Sequence, residues 1–214
     1  MQRLRGFTLI ELLVALAAMA LLALVSWRGL DGIAQVQSDS RTRGDALLTL
    51  QTTLSQWGAD LDATTTLAGL RALDWDGRVL RLTRRSADGS LPAVHVVGWT
   101  LRAGAEGAQW HRWQSPPLTT QAEWRQAWAL AARWAQEGER DAQGTEVALL
   151  PVARWDLLYF RGGTWSAAVP ADTLGPATPL PDGVRLVLTL PPGGALAGMV
   201  TRDWVRPTAG GARS

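Results

Sequence analysis

The 21 residues from Phe7 to Trp27 carry a single charge, Glu11, and Leu12 to Val25 is apolar without interruption. At about 1.5 Å of rise per residue, a helix of this length crosses a hydrocarbon layer of about 30 Å. Arg3 and Arg5 precede it with no acid beside them. The positive-inside rule therefore keeps the N-terminus cytoplasmic and sends the remainder across the membrane. A secretory signal peptide shares the basic start and the apolar stretch, but it is cut after that stretch, at small residues. Here the stretch runs into Ser26-Trp27-Arg28-Gly29-Leu30-Asp31, which offers no Ala-x-Ala site. A plain signal anchor leaves Glu11 unexplained. An acid within a spanning helix costs a few kcal/mol and is usually functional.

Arg5-Gly6-Phe7-Thr8-Leu9-Ile10-Glu11-Leu12-Leu13-Val14-Ala15 resembles the class III signal of type IV pilins and type II secretion pseudopilins. The resemblance implies cleavage between Gly6 and Phe7 by a prepilin peptidase, and N-methylation of Phe7 by the same enzyme. It assigns Glu11 to subunit assembly. The physical sense is simple. Cleavage exposes a cationic amine at Phe7, and Glu11 stays an unpaired buried carboxylate until something cationic approaches. The resemblance implies that the amine of one subunit meets the acid of its neighbour, a contact that would relieve both desolvation penalties and set the axial register of stacked helices.

The implied fold is α+β and pilin-like, a long N-terminal helix packed on a mainly antiparallel β domain. The pattern divides the chain into five segments: leader 1–6, membrane and fibre-core helix 7–27, amphipathic helical spine 28–62, periplasmic β-rich domain 63–206 and a loose tail 207–214. The spine is polar from Gln35 to Asp45. Apolar residues then return at Leu47, Leu50, Leu54, Trp57 and Leu61, in steps of three and four that mark one helix face. Gly44 is its weakest point.

Beyond Thr66 strand signals take over. Short strands are expected at Val79–Leu82, Ala93–Arg102 and Gln109–Gln114. Thr120 with Glu123 forms a capping box, opening a helix with Trp124, Ala127, Trp128, Ala131 and Ala135 on one face. Trp155–Phe160 and Thr164–Val169 flank Gly162-Gly163, a hairpin signal. Val184, Leu186, Leu188 and Leu190 alternate toward a core, and a last strand runs from Met199 to Arg206.

Val97-Gly98-Trp99-Thr100-Leu101-Arg102, Trp110-His111-Arg112, Trp155 to Phe160, Gly163-Thr164-Trp165 and Leu180 to Leu186 are similar to segments of J-type minor pseudopilins. That resemblance implies a structural subunit at the tip or start of a periplasmic pseudopilus used in protein export. Its implied partners are I- and K-type minor pseudopilins, the major pseudopilin, the prepilin peptidase/methyltransferase and the inner membrane. W-type minor pilins of type IV pili, acting in assembly, adhesion or DNA uptake, share the layout and form the second reading.

Composition narrows the remaining classes. The sequence pI near 10.2 reflects Arg chemistry, since all 21 basic residues are Arg. Loss of Arg3 and Arg5 with the leader leaves 19 basic against 19 acidic residues. Such a balance lacks the basic footprint of a nucleic-acid partner. The absence of cysteine excludes disulfides and thiolate chemistry. No catalytic residue, metal site or cofactor is expected. His95 and His111 read as ordinary strand residues. Asp74-Trp75-Asp76-Gly77 reads as a turn, because the later oxygen ligands of a calcium loop are missing, and Asp60-Leu61-Asp62 is a second acid pair. The twelve tryptophans are expected chiefly in the core, with Trp110, Trp113, Trp124 and Trp128 as a candidate exposed docking face.

Overall fold

A computed structural model of the chain describes residues 8–86, 93–105, 107–137, 144–170 and 179–207. The layout is the expected α+β one. A single helix, α1 (Leu9–Asp62), is followed by antiparallel strands. Its 54 residues make a rod of about 80 Å, and it runs through Gly44 without interruption. The chain divides into two compact units, residues 1–45 and 46–214. In the first, the described side chains are exposed over residues 8–43, apolar ones included.

In the second unit, five strands form one sheet in the order β1-β2-β3-β4-β5: Leu73–Trp75, Val79–Arg85, Val94–Gly104, Gly107–Gln114 and Thr145–Pro151. Four more form a second sheet in the order β7-β6-β8-β9: Thr164–Ala167, Arg154–Arg161, Gly183–Leu190 and Gly198–Val205. All pairings are antiparallel. A second helix, α2 (Gln121–Glu137), lies between β4 and β5 in the chain.

Period-two alternation gives the first sheet two apolar faces. On one, Leu80, Leu82, Val97, Trp99, Trp110 and Leu150 meet the inner face of the second sheet and Leu50, Trp57 and Leu61 of α1. On the other, Val79, Val96 and Trp113 meet α2. Six indoles, Trp57, Trp75, Trp99, Trp110, Trp155 and Trp204, lie in the first core. Trp57 lies 5.2 Å from Trp99 and 5.4 Å from Trp110, while Trp155 stands edge-on to Trp75 at 4.8 Å. Trp134 of α2 crosses so close to β3 that a Cβ at Gly98 would come within 3.2 Å of its ring. Gly162 and Gly163 both have positive φ, the backbone a tight hairpin requires, so the β6–β7 turn forms where the glycine pair predicts it.

Three expectations need correction. Trp110, Trp113, Trp124 and Trp128 are buried and are not a docking face: α2 packs Trp113, Trp124 and Trp128 against one face of the first sheet, and Trp110 lies in the core on the other. Leu47 is 42% exposed, so the packed face of α1 begins at Leu50. Asp74 belongs to β1, and the turn lies beyond it, where Asp76 accepts from the backbone N–H groups of Arg78 and Val79.

The last turn of α1 is held by charge. Asp60 is fully buried. It accepts from Arg84 Nη1 at 3.0 Å, Arg112 Nε at 2.7 Å, Arg112 Nη2 at 2.8 Å and Trp99 Nε1 at 3.0 Å. Asp62, two residues on, accepts from Trp204 Nε1 of β9 at 2.7 Å. The two acids thereby tie one helix end to both sheets. Removing one partner of a buried pair typically costs about 3–5 kcal/mol. Asp60→Ala is expected to lose that much stability in a urea titration followed by Trp fluorescence, and a loss below about 1 kcal/mol would show that the network is idle. Asp62→Ala removes one hydrogen bond, worth roughly 1 kcal/mol, and is expected to be much milder.

Candidate functional site

The first turn of α1 begins with Thr8 as its N-cap. Thr8 donates its N–H to Glu11 Oε2 at 2.9 Å and its Oγ1–H to the same oxygen at 2.8 Å. The N–H of Glu11 approaches Thr8 Oγ1 at 3.4 Å, and Leu12 N–H donates to the Thr8 carbonyl at 3.3 Å. This is a capping box: the threonine and the acid three residues later satisfy each other's end of the helix. The acid also sits where the helix dipole favours negative charge. Glu11 is therefore not the unpaired carboxylate expected from the sequence. Thr8 holds Oε2, and Oε1 accepts no hydrogen bond among the described residues.

The signal for this box is present in the sequence. Thr8-x-x-Glu11 has the spacing of Thr120-x-x-Glu123, which opens α2 in the same way. There Glu123 Oε2 accepts from Thr120 N–H at 3.0 Å and Thr119 N–H at 2.9 Å, and Glu123 N–H donates to Thr120 Oγ1 at 3.2 Å. These backbone donors hold the Glu123 carboxyl below its ordinary range. Gly6 and Phe7, the expected cleavage and methylation positions, lie outside the described residues.

Beyond the cap runs a helix long and apolar enough to cross a membrane. Its apolar side chains point in every direction. Leu9, Ile10, Leu12, Leu13, Val14 and Leu16 are all exposed, so no single face is reserved for a core. An apolar surface of this extent requires cover by lipid or by other helices.

The other candidate residues are engaged in the fold. His95 on β3 contacts the Ser115 carbonyl through Nδ1 at 2.8 Å and Ser86 Oγ through Nε2 at 3.3 Å. Asp74 pairs with Arg81 at 2.6 Å. Among the described residues there is no group of three or more His, Cys, Asp or Glu placed to hold a metal. An apolar groove of about 270 Å³ is lined by Ala46 and Thr49 of α1, Leu149 to Pro151 of β5 and the turn after Leu190. No titratable side chain lines it.

His111 on β4 stands between Arg102 and Glu146. Its Nδ1 lies 3.0 Å from Arg102 Nη2 and 2.8 Å from Glu146 Oε1. Arg102 also pairs with Glu146 and lies over the Trp134 ring at 5.1 Å, and Trp134 Nε1 donates to Glu146 Oε2 at 2.8 Å. Burial first, and the Arg102 charge second, push the imidazole down to about 4. Glu146 pulls the other way, but its charge is already engaged by Arg102, so burial wins.

Comparisons with known proteins agree with the start of the chain. Residues 1–27 match the prokaryotic N-terminal methylation motif. Comparison with curated proteins gives no match. Among solved structures, the chain is similar to a chain of the GspK-GspI-GspJ complex from the enterotoxigenic Escherichia coli type 2 secretion system. The likeness has 18% identity and a TM-score of 0.49, and covers 74% of this chain and 96% of the other.

The lowered pKa of His111 has a signed consequence. Below about 6.5 the unfolded chain binds a proton that the folded chain refuses until about 4. His111 therefore removes stability as pH falls through that window. The difference in urea midpoint between the parent and His111→Gln is expected to be constant above pH 6.5 and to move against the parent between pH 6.5 and 4. Parallel pH profiles would mean that the imidazole is free to protonate in the fold.

Proposed function

We propose that the chain is a minor pseudopilin, a structural subunit at the tip or start of a periplasmic pseudopilus that serves type II protein secretion. The observation that carries the reading is the methylation motif at residues 1–27 running directly into a capped helix whose apolar surface is uncovered on every side. Under this reading a prepilin peptidase cuts between Gly6 and Phe7 and methylates the new amine. The helix then rests as a single span of the inner membrane, with its N-terminus cytoplasmic and the β-rich domain, residues 63–206, periplasmic. The minor assignment within the pseudopilins rests on the J-type segments, which fall on β3, β4, β6, β7 and β8.

The mechanism is mechanical rather than catalytic, and it needs no metal or cofactor. In the bilayer, the capping box gives Glu11 two hydrogen bonds from Thr8 and lowers the cost of carrying an acid there. Oε1 is left to meet the Phe7 amine of a neighbouring subunit. That contact replaces lipid by helix along the exposed apolar surface and fixes how far one rod slides along the next. The partners are I- and K-type minor pseudopilins and the major pseudopilin.

Two variants test the reading in the native host. Gly6→Leu is expected to leave the leader attached, visible as a heavier chain held in the inner membrane. Glu11→Ala is expected to be cut normally and to keep a folded domain, while its recovery in sheared fibres falls at least tenfold. Normal processing of Gly6→Leu, or unchanged incorporation of Glu11→Ala, would overturn the reading.

A further inference from the structure

The two sheets expose four strand edges, and three are poor templates for another strand. β1 has three residues and β7 has four. β5 has seven, but its register with β4 slips between Trp110 and His111, and it ends at Pro151. A bulge and a proline are the usual ways an edge is blunted. β9 has neither feature. It pairs with β8 without a slip from Gly198↔Leu190 to Val205↔Gly183, and its other side meets no strand among the described residues. Met199 and Val205 stand 73% and 60% exposed at its ends.

One charge on this edge is unanswered among the described residues. Asp203, on the outer face, is held by Arg185 through two hydrogen bonds of 2.7 Å. Arg202 lies opposite Leu186, on the side of the sheet that faces the core, and is exposed at the rim. It makes no ion pair with any described residue. A cation on the core-facing side of an edge repels an apolar strand, which is one way proteins prevent edge pairing. The same cation admits a strand that brings an acid to that position, so it selects as well as protects.

We propose that β9 is a docking edge for an extended segment of a different protein that carries Asp or Glu opposite Arg202, with apolar residues beside Val200 and Trp204. A second copy paired antiparallel through its own β9 does not fit. The β9 residues sharing the face of Arg202 are Gly198, Val200 and Trp204, so no antiparallel register of β9 against itself sets an acid opposite the guanidinium. Main-chain hydrogen bonds along β9 supply affinity, and Arg202 supplies the choice of partner.

The test uses the full chain in detergent and two short synthetic peptides that alternate Thr and Val, one with a central Glu and one with a central Lys. Amide hydrogen exchange reports on residues 198–205. The Glu peptide is expected to slow exchange there at least tenfold more than the Lys peptide at equal concentration. Arg202→Glu is expected to invert that preference, and Arg202→Gln to abolish it. Circular dichroism confirms that each variant is folded. No slowing by either peptide, or an identical response to both peptides in all three proteins, would overturn the proposal. So would protection of β9 that rises with protein concentration alone, which would mean that a second copy occupies the edge.

Discussion

A carboxylate in the last turn of a helix sits where the backbone dipole is already negative, so it stays charged and buried there only if cations are brought to it. α1 ends on two acids, the buried Asp60 and the exposed Asp62, and no basic residue lies in its last turn. Arg84 and Arg112 come from two strands of the first sheet, β2 and β4, and the Trp99 indole of β3 and the Gln56 amide of α1 also donate to Asp60. Asp62 takes its donor from the second sheet. The contacts only form if β2, β3 and β4 are in register with one another and β9 is in place. The charged set thus acts as a locating pin for a core otherwise made of indoles and aliphatic side chains, which could pack in more than one way.

The two ends of α1 solve opposite problems with the same chemical group. At the N-terminus, Glu11 is favoured by the dipole and by Thr8, so a single acid is tolerable in an apolar rod. At the C-terminus, Asp60 is disfavoured by the dipole and has to be rescued by distant arginines. The first arrangement leaves one carboxylate oxygen without a hydrogen bond among the described residues. The second uses every contact internally. That difference leaves the first turn held by its own residues and the last turn held by the fold.

Much of this is readable from sequence where a pattern is local. The length of α1, the glycine-pair hairpin, the alternation in β8 and the Trp124–Ala135 face of α2 all follow from periods of two or 3.6 and from turn chemistry. β5 is not readable in this way, because an edge strand with mostly exposed side chains lacks the alternation that marks a half-buried one. Trp124 and Trp128 of α2 mislead for a different reason. Sequence shows that a helix face is apolar, but not which sheet face it covers. The pairing of Asp60 with Arg84 and Arg112 spans 24 and 52 residues and has no local signature. The Thr8–Glu11 box does have one, but it competes with a second sense of the same acid, as a partner for another subunit rather than for its own helix.

The account rests on a rod that keeps its apolar segment after export and begins at a new amine. Mass measurement of the N-terminal peptide from the native membrane tests this most directly. The expected result is a chain starting at Phe7 and carrying one added methyl group, with the segment to Trp27 still attached. A chain that still starts at Met1, or one that starts beyond Trp27, would contradict it.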